Sequence, residues 1–249
     1  MKILTLLLIL VAPFCQSQSA KTFDPNIILI NVGDLDRVGI AKQLGMINKL
    51  NPKVVALDLI FQESHGDNKD KLLIKELSGC KNLVMATLIK SVAAGSEKKY
   101  MVSGNHAAFL PPRSTTGFTN LILEKDESQI KFAAWRKVNE RPQKDTEYHF
   151  SIQTAMAFDS SKTSEFLSKN LQTIDIDYSY DLKTVKRYSV EDVLTGKINS
   201  NDVEGKIVLL GFLGPGDEDK TKIIYNNEVR SLYEMEILAT ILSQVLNAR

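Results

Sequence analysis

Hydrophobic positions change their spacing several times along this chain, and each change predicts an element. Residues 27–32 are apolar and β-branched except for Asn31, the pattern of a strand buried on both faces. The period then lengthens. Ile40, Leu44, Ile47 and Leu50 recur at spacings of four and three, with Lys42, Gln43 and Lys49 between them. This predicts an amphipathic helix, ended by Asn51 and Pro52. Residues 54–61 form a second apolar run and predict a second buried strand. A polar stretch, 62–70, leads into a helix carrying Leu72, Leu73, Ile74 and Leu77 and closed by Ser78 and Gly79. Residues 83–89 predict a third strand. Strands and helices alternating through short connections make right-handed βαβ units, and so a parallel sheet covered by helices.

The middle of the chain reads differently. Residues 92–112 are expected to be loop-like, broken by Gly95, Gly104, Pro111 and Pro112. Runs at 117–123 and 130–138 predict two antiparallel strands joined by a charged turn over 124–129. A short buried helix at 152–158 is followed by a polar helix ending near Asn170. Residues 173–178 alternate apolar and polar side chains and predict a half-exposed or edge strand. Ser189 is placed to cap a short helix through Leu194, with Glu191 and Asp192 in its first turn. Residues 205–213 predict a central strand, and a helix from about Leu232 to Leu246 carries Ile237, Ile241 and Val245 on one face. The expected fold is α/β: a mixed, mostly parallel sheet flanked by helices in three layers, with an antiparallel hairpin in the middle of the chain. No repeat or polar linker divides residues 20–249, which read as a single domain.

The first residues alter the setting of that fold. Lys2 precedes an apolar run, 3–14, broken only by Thr5, and a small polar stretch through Ala20 follows. This is the order of a secretory signal peptide over residues 1–19, cleaved between Ser17 and Ala20. A spanning helix needs about 20 apolar residues to cross about 30 Å of hydrocarbon, more than this run offers. Lipid attachment at Cys15 is disfavoured, because Phe14 stands where a small residue is required. The mature chain is therefore expected outside the cytoplasm, periplasmic or extracellular, with no transmembrane segment. It keeps only Cys80 and cannot form an internal disulfide. The full sequence has 31 basic and 30 acidic residues, so that without Lys2 the charges balance, and no basic stripe stands out, which argues against nucleic acid or an anionic membrane surface as partner.

Candidate chemistry rests on acids near strand ends, where parallel α/β sheets bind ligands. Asp34, Asp36 and Arg37 follow the first strand, Asp58 lies in the second, and Asp217 and Asp219 follow the last. Carboxylates converging there would suit a divalent cation or a cationic ligand. The same residues also read as ordinary turn chemistry, with Asp58 paired to Arg37 or to a backbone donor. As an enzyme, Asp34-x-Asp36 and Asp217-x-Asp219 faintly resemble the magnesium-dependent haloacid-dehalogenase phosphatases, whose first aspartate attacks phosphorus. In that family the nucleophile follows its strand directly, whereas Gly33 intervenes here, and Arg37-Val38-Gly39 matches poorly. His65, His106 and His149 have no metal-ligand spacing, and Cys80 has no histidine near it in sequence. No Gly-x-Ser-x-Gly elbow and no phosphate-binding loop occurs.

In order along the chain, several segments resemble the CHASE2 domain, an extracellular sensory module. They are IILINVGD ending at Asp34, with Arg37 after it; LNPKVVALDLIF, including Asp58 and Phe61; and TGFTN from Thr116 to Asn120. YSVEDVLTG from Tyr188, EGKIVLLG ending at Gly211, an acid at Asp217 or Asp219, and the final helix from Tyr233 to Leu242 complete the series. The chain departs from the family pattern in its short loop Asp34-Leu35-Asp36-Arg37, in Lys125 to Ser128 of the middle hairpin, and in Tyr233-Glu-Met-Glu-Ile-Leu238. The resemblance implies an extracytoplasmic ligand-binding domain without catalysis or cofactor of its own. Its expected partners are a small molecule or peptide ligand and a membrane receptor or envelope protein. A magnesium-dependent phosphatase and a protein-interaction scaffold of the cell envelope are the alternatives.

Overall fold

The computed structural model describes residues 20–94, 97–123, 130–138, 146–216, 220–226 and 228–248. The expected signal peptide with Cys15, the 124–129 turn, Asp217 and Asp219 lie outside the described residues.

The first half follows the apolar pattern: β1 (Ile27–Asn31), α1 (Arg37–Lys49), β2 (Val54–Leu57), α2 (Asn68–Ser78) and β3 (Leu83–Ala94). The second strand is shorter than its apolar run. The Phe61 amide is taken by the Asn105 side chain and its carbonyl by the His106 N–H, each at 2.7 Å, instead of by a neighbouring strand. Phe61 packs on Phe109 with ring centroids 5.2 Å apart. Asp58 therefore lies just past the carboxyl end of β2, not inside the strand.

The expected loop after β3 is corrected: β3 continues to Ala94 and the chain returns as antiparallel β4 (Glu97–Ser103). Its Tyr100 and Val102 alternate inward against a small core of Ile89, Phe118, Ala133 and Val138. A single 3-10 turn (Ala107–Phe109) leads to β5 (Thr115–Phe118), β6 (Leu121–Leu123), β7 (Ile130–Ala133), β8 (Trp135–Lys137) and β9 (Thr146–Tyr148). The two expected strands are thus four. One run breaks after Phe118 and the other at Ala134, where the chain passes from one sheet to another. Then come α3 (Phe150–Phe158), α4 (Ser160–Ser168), β10 (Thr173–Asp175), β11 (Lys186–Tyr188), α5 (Val190–Leu194), α6 (Ser200–Val203) and β12 (Ile207–Gly211). The chain closes with β13 (Lys220–Tyr225), β14 (Glu228–Tyr233) and α7 (Glu234–Leu246). The last helix starts after Tyr233 because the residues before it pair as a hairpin, Lys220 opposite Tyr233.

The main sheet runs β11-β1-β12-β2-β3, with β5 and β4 both on β3; every pairing is parallel except that of β4. β12 sits between β1 and β2, the central place its apolarity predicts. Small antiparallel sheets, β10-β7-β6, β13-β14 and β8-β9, complete the pairing, with β10 on an edge. Alternate residues of each central strand enter opposite cores. Ile28, Ile30, Val55, Leu57, Val208 and Leu210 pack under α1, α2 and α5. Ile27, Leu29, Ala56, Val84 and Leu209 pack under α3, α7 and the β10-β7-β6 sheet. Burial on both faces is why these strands read as unbroken apolar runs. Ser189 and Asp192 cap α5 reciprocally, as their spacing predicts. Among the described residues no helix is long and apolar enough to cross a membrane.

Candidate functional site

The carboxyl ends of β1, β12 and β2 meet at one rim of the main sheet, and polar residues organise it. Asn31, the polar interruption of β1, accepts the Gly33 and Leu213 N–H groups on Oδ1 and donates from Nδ2 to the Gly214 carbonyl, each at 2.9 Å. One amide thereby ties the exit of β1 to the exit of β12. The Tyr233 hydroxyl crosses the same loop and donates to the Gly216 carbonyl at 2.8 Å. Its ring meets Phe212 edge to face at 6.1 Å, with the Lys220 ammonium 4.7 Å from its centroid. Gly214 has a φ of +99° and no room for a side chain against Tyr233, so only glycine fits there.

A cleft of about 280 Å³ opens at this rim. Asp58, Leu59 and Ile60 enter it from the end of β2, Leu88 from β3, Thr119 from the β5–β6 link, Phe212 from the end of β12 and Glu234 from the first turn of α7. Gly211 makes the arrangement possible. A Cβ there would lie 2.7 Å from Met235 Sδ and 3.1 Å from Asp58 Cβ, so its absence lets the start of α7 settle onto the sheet beside Asp58. Two carboxylates, from elements 176 residues apart in the sequence, thus share one small cleft with apolar walls. Such a lining favours a positively charged group attached to a compact apolar body.

The other acids near β1 have different surroundings. Asp36 is the N-cap of α1: its carboxylate accepts the Gly39 N–H at 3.0 Å and pairs with Lys69 at 3.2 Å. These contacts, the Gly39 N–H foremost, draw its pKa below the ordinary aspartate value. Arg37 bonds to Asp70, donates to the Glu63 carbonyl at 2.6 Å and lies 5.1 Å from the centre of the Phe109 ring. The Asp70 side chain is fully buried, and it also accepts from the His65 and Gly66 amides and the Ser64 hydroxyl at 2.6 to 3.0 Å. Burial raises the pKa of this carboxyl, but the donors together outweigh it and hold the value at about 2. The pair organises the polar stretch before α2. Asp34 is exposed and makes no hydrogen bond or ion pair among the described residues.

Of the residues singled out in the sequence, the structure places Asp58 in the cleft, Arg37 on Asp70, Asp36 at the start of α1 with Lys69, and Asp34 at the surface. Among the described residues no group of three or more His, Cys, Asp or Glu side chains could hold a metal ion. Cys80 is partly buried, its thiol 3.6 Å from the Glu76 carbonyl, and burial pushes its pKa up to about 12. Glu234 and Phe212 escaped the sequence reading, because their convergence on Asp58 depends on the β13-β14 hairpin and on Gly211. Asp70 escaped it too. The available signal was Arg37 itself, since a guanidinium beside a core needs an anionic partner.

Against known proteins, the family model described as the CHASE2 domain matches residues 23–249, nearly the whole chain. No curated protein and no solved structure matches it.

Proposed function

The chain belongs to the CHASE2 domain family, and on that premise we propose that it is an exported, non-catalytic sensor that binds a small cationic ligand at the rim of its parallel sheet. The family is one of sensory domains. The observation that carries the ligand assignment is the cleft itself, which brings the acidic residues Asp58 and Glu234 together with Phe212 and Leu88 in its lining. Its volume of about 280 Å³ falls at the small end of ligand pockets, the size of an amino acid or simple amine rather than a folded peptide. Export is supported by the Lys2-led apolar run and the small residues after it.

Two observations favour binding over catalysis: Asp36, the second acid of the phosphatase alternative, is occupied as a helix cap and by Lys69, and burial pushes the pKa of the Cys80 thiol up to about 12. Activity on a generic phosphate ester with magnesium, lost on Asp34→Asn, would restore the phosphatase alternative.

A thermal-shift screen of the purified mature chain against amines, amino acids and metal ions tests the binding proposal. A ligand at about 100 times its Kd stabilises by about 2.7 kcal/mol. The expected hit is an organic cation whose shift disappears in Asp58→Asn and in Phe212→Ala. A hit that ignores both substitutions, or a preference for anions, would overturn the assignment. N-terminal sequencing of protein recovered from outside the cytoplasm tests export, with a first residue between 18 and 20 expected. Intact Met1 on protein confined to the cytosol would refute it.

A further inference from the structure

We propose that the outer face of α1 and α2, on the opposite side of the sheet from α7, is a docking groove for an amphipathic helix of a partner protein, one whose apolar stripe is flanked by acidic residues. The groove has a volume of about 640 Å³. Its floor is made by Ala41, Gly45 and Met46 of α1 and Leu72 of α2, with Leu194 of α5 along one side. Gly45 sets its depth: a Cβ there would come within 2.9 Å of Glu76 Oε2, so the missing side chain leaves a hollow between two helices that otherwise touch. Met46 and Leu72 pack on the core beneath them yet stay half-buried, and Leu194 remains 37% exposed, so the strip still presents apolar surface to solvent.

Charge decides which partner fits. Lys42 and Lys49 stand at the two ends of the α1 strip, and Lys75 stands on α2 beside it. All three are exposed, and neither Lys42 nor Lys49 makes an ion pair among the described residues. Lys75 reaches only Glu76, at 3.9 Å. Three ammonium groups thus rim the hollow against one carboxylate. Lys42 and Lys49 are seven residues apart, about 10 Å along the helix axis, the spacing of carboxylates two turns apart on a docked helix. Long lysine stems can cover the edges of such a helix while their heads meet its acids. A second copy of this chain is the wrong occupant for a symmetric contact, since it would bring the same ammonium groups face to face. A lipid surface fits poorly as well, because the apolar strip is recessed instead of protruding.

The test uses the full mature chain and two synthetic helical peptides of about 18 residues, five turns each. Both carry a leucine stripe; one flanks it with glutamates and the other with lysines. The acidic peptide is expected to bind with a micromolar Kd that weakens as salt rises from about 50 to about 500 mM. The lysine peptide is expected to bind at least tenfold more weakly. In Lys42→Glu/Lys49→Glu the preference should reverse, while Met46→Glu should abolish binding of either peptide with the circular dichroism unchanged. If Met46→Glu fails to fold, the exposed charge-reversal variant still decides the matter. Equal affinity for both peptides, no binding of the acidic one, or a preference untouched by charge reversal would overturn the proposal. So would Lys42- and Lys49-dependent binding to phosphatidylglycerol vesicles in place of the acidic peptide, or a dimer dissolved by Met46→Glu.

Discussion

Replacing His149 should flatten the acid side of this protein's stability curve. The imidazole caps α3 and is fully buried, with Nδ1 accepting the Ser151 N–H at 3.2 Å. Phe118 and Phe132 enclose the ring at centroid distances of 5.4 and 5.3 Å, and Nε2 has no hydrogen-bond partner. Because Nδ1 accepts, the ring is neutral with its hydrogen on Nε2. Burial lowers its pKa from 6.5 to about 3. The unfolded chain therefore takes up a proton near pH 6.5 that the folded chain refuses until about pH 3. The native state keeps its full stability above that upper value and loses it as the pH falls, by about 1.4 kcal/mol per unit. Between pH 6.5 and about pH 4.5 the loss comes to about 2.5 kcal/mol, a large share of a typical stability of 5–15 kcal/mol. His149→Asn keeps an N-cap acceptor but cannot titrate. Urea unfolding of both proteins, followed by circular dichroism across this range, isolates the effect, because carboxylate contributions common to both cancel in the difference. The wild type should lose about 2.5 kcal/mol more than the variant on acidification. Parallel curves would show that the buried imidazole is not excluded from protonation, and the reasoning would fail.

Gly117→Ala should destabilise by about 1–3 kcal/mol in the same assay, since its Cβ would lie 2.6 Å from the Phe150 Cα and 2.9 Å from the Phe150 N, backbone that cannot move aside cheaply. Asp70→Asn should lower the melting temperature clearly, because it takes the negative charge from a buried acceptor of four donors and leaves Arg37 without its anion. Asp36→Asn, by contrast, should leave the melting temperature almost unchanged, as asparagine caps a helix equally well and the Lys69 pair is exposed. With Asp70 held at about 2, its stabilising contribution is complete above the usual aspartate value of 3.8 and is lost as the pH falls from there through about 2. Wild type and Asp70→Asn should therefore converge in stability at low pH.

The parallel half of the fold was legible because strands buried on both faces leave continuous apolar runs, and α1 and α2 show a clear helical period. What the pattern hid lies at edges and crossings. β4 and β11 are edge strands with sequences EKKYMVS and KRY, in which charges such as the exposed Lys99, Lys186 and Arg187 mask the alternation. The 117–123 run looked like one strand because apolarity continues through it. Asn120, however, takes the place of a strand partner for Ile89, accepting its N–H at 2.6 Å and donating to its carbonyl at 3.3 Å, while the chain turns into another sheet. The candidate site was half legible. Asp58 stands out as a lone acid in an apolar run, but Glu234 looked like an ordinary acid within the last helix. Only the Gly211 contact and the hairpin before α7 bring the two into one cleft.

Binding at that cleft is tested most directly by methyl NMR of the mature chain, titrated with the organic cation that ranks highest by thermal shift. Resonances of Leu59, Ile60 and Leu88 should move together and saturably, and Asp58→Asn should abolish the movement without altering the rest of the spectrum. Saturable shifts confined to other methyl groups, or shifts at these three that survive Asp58→Asn unchanged, would contradict a cation-binding sensor built on this rim.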